Sequence, residues 1–223
     1  MNVIDPTEPA SAPDRADHGA TSADGGRLTA RLTGTSLHRA LAARGARAHT
    51  AAVAGAFAAL AVVNTVLNEL YARSGFPVSY AEGQTTFDGG RLKEFYAVVL
   101  DEGSMGFYWA TQLFDYVFMA AFALFGLAAA SRLVRAAEAR SQPRTATLAA
   151  AGAGAAVAGA GLDAIENLIS FVMLAQPRTF ADWIALPYST TAAAKFAAVT
   201  VGMACLLLAT AATAVAALTG RRR

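Results

Sequence analysis

Four stretches of this sequence, at about 51–70, 107–130, 148–175 and 188–218, are apolar and almost free of charge. Each reaches the roughly 20 residues that a helix needs to cross a bilayer. With 55% hydrophobic and 15% charged residues and a mean hydropathy of +0.39, the chain is too apolar for an ordinary soluble domain. A soluble all-helical bundle is the competing reading, and the length of the runs argues against it. The predicted fold is an all-α membrane protein, a four-transmembrane-helix bundle over 48–220. A disordered cytoplasmic tail at 1–47 precedes it and a basic end at 221–223 follows. The tail shows no periodicity and is rich in Asp, Pro, Ala, Gly, Ser and Thr as far as Gly34. The first run begins too far from Met1 for a signal peptide in the first ~15–30 residues, so it is expected to be an uncleaved first span.

Charge placement sets the expected orientation. Arg39, Arg44 and Arg47 precede the first run, Arg132, Arg135, Arg140 and Arg144 separate the second from the third, and Arg221, Arg222 and Arg223 end the chain. Between the first and second runs lie Glu82, Asp88, Glu94, Asp101 and Glu102. The positive-inside rule then places both termini in the cytoplasm of a cell-membrane protein. Because the arginines flank apolar runs, they read as topology signals and not as nucleic-acid contacts. The bilayer itself is the first expected partner.

Within the third run, Asp163, Glu166, Asn167 and Ser170 follow i, i+3, i+4, i+7 spacing and share one helical face. Two carboxylates and an amide at membrane depth must face protein, water or a ligand. Other runs carry polar faces too. Asn64 and Asn68 share a face with Phe57, Ala61 and Tyr71 in the first run. In the second, Tyr108, Gln112, Asp115 and Met119 line up, and in the fourth Lys195 follows Thr191 by one turn. At 1.5 Å per residue, Asp115, Lys195 and the Glu166–Asn167 pair all lie about 11–14 Å from the non-cytoplasmic ends of their spans. The expectation is a polar cup in that half, with Asp115, Asp163, Glu166 and Lys195 as catalytic candidates. Asn64, Asn68, Tyr108, Gln112 and Asn167 are its candidate substrate-binding residues. An ion-pair network that fastens the helices together is the structural alternative, and interhelical amide bonding is the alternative for Asn64 and Asn68.

The remaining features narrow the chemistry. Gly152, Gly154, Gly159 and Gly161 open the third run and permit close helix approach, so the bundle is expected to be tight on the cytoplasmic side. No GxxxxGK[ST] phosphate loop occurs. His18, His38 and His49 all precede the first apolar run, which argues against a histidine metal site inside the membrane. No metal or cofactor is expected. Cys205 is alone and cannot form an internal disulfide. From Arg91 to Leu100, Leu92, Phe95, Tyr96, Val99 and Leu100 form an apolar face. This predicts a short amphipathic helix in the first outer loop, acting as a lid over the bundle or as an interfacial anchor.

The pattern Arg91…Tyr96…Asp115-x-x-Phe118, then Asp163-x-x-Glu166-Asn167, then Lys195, resembles an uncharacterised family of bacterial four-span membrane proteins. Met119 stands where that family would have a proline. The resemblance implies the topology and the polar cluster, and no activity. A chemical likeness extends to small integral-membrane terpene cyclases, in which a carboxylic acid protonates an alkene or epoxide and aromatic faces hold the resulting cation. On that reading the protein performs acid-initiated cyclisation or isomerisation of an isoprenoid or lipid-like substrate. The alternative is a non-enzymatic protein: a proton-coupled carrier, a lipid-binding accessory or a complex subunit. Four spans are few for a carrier alone, so a homo-oligomer is expected in that case.

Overall fold

The computed structural model describes residues 27–42 and 44–220, and every regular element among them is helical. A short helical stretch over 27–33 leads into α1 (Ser36–Ala42). Then come α2 (Gly45–Arg73), α3 (Tyr80–Gln84), α4 (Gly89–Asp101), α5 (Met105–Glu138), α6 (Pro143–Ala175) and α7 (Ala185–Gly220). A 3-10 turn at Asp182–Ile184 precedes α7. Helices α2, α5, α6 and α7 are long and apolar enough to cross a membrane. A helix satisfies its backbone groups internally, which a segment in hydrocarbon must do.

The helices overrun the apolar runs because the hydrogen-bond ladder continues through polar residues. Helix α5 carries on past Ala130 to Glu138, and α2 begins at Gly45. His49, expected to precede the first span helix, therefore lies in its opening turns and is buried. Residues 27–42, assigned from composition to a disordered tail, are also largely helical. Leu32 explains why: it is buried with Ala130, Val134, Ala137, Ala146 and Ala149, so this segment has an apolar surface to cover. The rest of the expected tail, 1–26, lies outside the described residues, as do residue 43 and the basic end at 221–223.

Two modes of packing hold the bundle. Where α6 is built of Ala and Gly, backbones come close. A side-chain carbon on Gly202 would sit 3.2 Å from both the Ala156 nitrogen and the Gly152 oxygen, and one on Gly126 would sit 2.7 Å from the Ala156 side chain. Gly152 and Gly159 face α7, whereas Gly154 and Gly161 face open space. At the opposite end lies an aromatic core of Phe76, Phe95, Tyr96, Tyr108, Phe180 and Tyr188, closed by Leu92, Val99, Met173 and Leu174. Helix α4 spends its apolar face on this core. It is tied to the α6–α7 connection by Lys93–Asp182 and Arg178–Asp101, each 2.6 Å.

Helix α2 stands apart. It packs against α5 and makes no comparable contact with α6 or α7, whereas α5, α6 and α7 pack on one another. The expected tightness near the arginines holds for those three helices and fails for α2. A cleft runs between α2 and α7, floored by α5.

Candidate functional site

The polar residues meet at one end of that cleft. Lys195 on α7 donates to Asp163 Oδ1 at 2.5 Å and to Glu166 Oε2, both on α6. The i, i+3 spacing of the two carboxylates lets one ammonium reach both. Glu166 Oε1 accepts a second bond, from Gln84 Nε2 at 3.0 Å. Asp115 on α5 accepts at Oδ2 from Asn167 Nδ2 at 3.0 Å and from the Tyr80 hydroxyl at 2.9 Å. Asp115, Asp163, Glu166, Asn167 and Lys195 are all buried.

A pocket of about 240 Å³ opens in front of this network. Asp115, Asp163, Lys195 and Tyr80 form its polar wall. Tyr71, Phe118, Phe122 and Phe196 supply rings, and Asn64 and Asn68 contribute amides from α2. The Lys195 ammonium lies 5.1 Å from the Phe196 ring centroid and 5.8 Å from that of Tyr80. The lining comes from α2, α5, α6 and α7 with Tyr80 of α3, and the poorly packed α2–α7 gap gives the pocket an apolar side.

The candidates thus divide. Asp115, Asp163, Lys195, Asn64 and Asn68 line the pocket. Glu166 and Asn167 stand behind it and hold Lys195 and Asp115 in place. Tyr108 and Gln112 do not reach it. Tyr108 stacks on Phe76 at 4.8 Å in the aromatic core, and Gln112 is fully buried one turn below it on α5. They share the Asp115 stripe in sequence, but α4 and the α2–α3 connection cover that end of α5.

Two contributors were not evident from the apolar runs. Tyr80 and Gln84 come from α3, a five-residue helix in the connection between the first two spans. Ser79 caps α3 by accepting from the Glu82 backbone nitrogen at 3.2 Å. The Ser79-Tyr80-Ala81-Glu82 sequence is a capping-box pattern, and that was the available signal. Burial, followed by the Asp115 and Glu166 carboxylates, holds the Tyr80 hydroxyl well above the usual phenol range, so it remains a donor. Phe87 anchors the far side by donating its backbone N–H to Ser189 Oγ at 3.0 Å.

Three carboxylates face one ammonium here, and every hydrogen bond described to them arrives from a donor. Among the described residues, both donors to Asp115 go to Oδ2, which leaves Oδ1 for a proton or a pocket occupant. The pocket therefore suits positive charge, whether it arrives with a ligand or develops on one. Comparison with known protein families, curated proteins and solved structures finds no match to this chain.

Proposed function

We propose that this is a multi-pass protein of the cell membrane with both termini cytoplasmic, and that its pocket receives a hydrophobic small molecule sideways from the bilayer. The arginine-rich ends of the helices support that orientation. We assign the pocket to acid-initiated cyclisation or isomerisation of an isoprenoid or lipid-like substrate. The observation that carries this reading is the Asp115 carboxyl, buried, oriented by Tyr80 and Asn167, and set among the rings of Phe118, Phe122 and Phe196. In its protonated form Asp115 delivers a proton from Oδ1 to an alkene or epoxide. The rings and the surplus of carboxylates hold the cation that forms. Loss of a proton from that cation to Asp115 or Asp163 completes a redox-neutral reaction. Lys195 and Glu166 are positioning residues that fix Asp163. A bacterial origin, and membership of a four-span family carrying the Asp115, Asp163–Glu166–Asn167 and Lys195 pattern, belong to the same reading.

Membranes containing the protein, incubated with prenylated substrates, test it. Asp115→Asn is expected to lower turnover at least about 100-fold, the usual scale for a lost general acid. Turnover that survives this change refutes the assignment. The excess of carboxylates over ammonium also favours a second reading, a proton-coupled carrier of organic cations. Saturable binding of an aromatic cation with no product from any prenylated substrate would select it.

A further inference from the structure

The same cleft has a second compartment whose lining differs from the first. Along the floor, α5 presents Asp115, Phe118, Phe122, Phe125 and Arg132 at helical spacing, and Arg140 follows in the turn just beyond its end. The Phe57 and Phe125 rings, 5.7 Å apart, meet between the carboxylate end and the arginine end. Beyond them lies a groove of about 680 Å³. Its walls are small or apolar: Val53, Ala54, Ala214 and Ala217 among them. Its mouth carries Arg132 and Arg140. Arg47 lines an adjoining hollow that shares Thr50 and Ala54 with the groove.

These arginines retain unused donors. Arg132 gives one bond to Thr50 Oγ1 at 3.2 Å, and Arg140 gives one to the Ala136 carbonyl at 2.9 Å. A guanidinium has five N–H groups. Among the described residues neither arginine forms an ion pair, although the ion pairs at the opposite end engage Arg73 and Arg178. An apolar slot between two membrane-crossing helices, topped by cations, matches an acyl chain attached to an acidic headgroup.

We infer that an acidic phospholipid occupies the α2–α5–α7 groove, its phosphate against Arg132 and Arg140 and an acyl chain along Ala54, Ala214 and Ala217. The inference is independent of the chemistry proposed for the carboxylate pocket. The lipid fills the space that α2 leaves open and acts as a wedge between it and α7. Arg47 adds field at the mouth.

The full-length protein in detergent, titrated with phosphatidylglycerol, phosphatidylcholine or glycerol 3-phosphate and followed by native mass spectrometry, tests the inference. One phosphatidylglycerol per chain should be retained preferentially, and the headgroup alone should not compete. Arg132→Gln with Arg140→Gln should weaken retention about 30-fold, from roughly a kilocalorie for each arginine near the surface. Arg132→Lys with Arg140→Lys should keep most of it, and so should Arg178→Gln at the opposite end. Equal retention of both lipids, competition by glycerol 3-phosphate, or a double Gln variant that binds like the native protein would overturn the inference. So would a dimer that buries the groove and excludes lipid.

Discussion

The two halves of the bundle are held together by different physics. Near Gly126, Gly152 and Gly202, contact is backbone on backbone, and the restraint is shape. Near Lys195, contact is ammonium on carboxylate and amide on carboxylate, and the restraint is charge balance. Shape tolerates no added volume but is indifferent to charge. The polar half tolerates changes of size less critically, but removal of one partner strands another in a low dielectric. Where α6 meets α5 and α7 through small residues there is no room for a ligand, so a pocket with a polar wall can form only in the second half.

The comparison is broken most directly at Lys195. Lys195→Met leaves Asp163 and Glu166 buried without a cation, and is expected to cost about 3–5 kcal/mol. Thermal unfolding in detergent reads this. Adding Asp163→Asn and Glu166→Gln to that variant should restore much of the loss, since no stranded charge remains. A single variant as stable as the native protein, or a triple variant no better than the single, would mean that charge balance does not govern this half.

Next in size is the small-residue half. Gly202→Leu must push α7 away from the Ala156 and Gly152 backbones, with an expected loss of about 1–3 kcal/mol. The same change toward Ser, nearly as small as Ala but polar, should cost much less. If Ser proves as damaging as Leu, polarity matters there and the contrast with the polar half fails.

The smallest effect concerns α1. His38 Nδ1 lies 2.8 Å from Ser131 Oγ, and its ring meets that of His49 at 6.0 Å. Burial, then His49, push the His38 imidazole below its usual value; Arg135 adds to this and Glu138 opposes it. The folded chain thus binds this proton less tightly than the unfolded chain. The contribution of His38 is full above the unfolded value of about 6.5 and is lost as pH falls below it. Amide exchange over residues 27–42, taken relative to the intrinsic rate at each pH, should rise as pH falls below about 6.5, while the same ratio around Asp163 stays unchanged. A uniform rise across both regions would assign the effect to global destabilisation.

Much of this architecture was legible in the residues. Four apolar runs located the four long helices, because run length and hydrogen-bond closure leave a membrane-crossing segment little choice. The i, i+3, i+4 pattern at Asp163, Glu166 and Asn167 placed three polar groups on one face, and a common depth pointed to Asp115 and Lys195. Periodicity does not say where a face stops lining a cavity. Tyr108 and Gln112 share the Asp115 stripe, yet they are covered by the connection between α2 and α5. That connection was harder to read, since short helices offer too few turns for a periodic signal. The Ser79–Glu82 cap and the Asp88 cap of α4, which accepts from the Arg91 nitrogen at 3.1 Å, were its legible marks. The separation of α2 from α7 left no trace in the sequence, because small apolar residues suit a lipid-facing surface as well as a packed one.

One consequence follows from where Tyr80 and Gln84 sit. Both belong to a helix that begins only a few residues beyond α2, and α2 is seated along a single flank. The Ser74 carbonyl at the end of α2 accepts from Ser104 Oγ at 2.6 Å, next to the start of α5. This clasp makes a fulcrum. The position of α2 is thereby coupled to the Tyr80 bond to Asp115 and the Gln84 bond to Glu166, so a change that shifts α2 reaches both carboxylates through their donors.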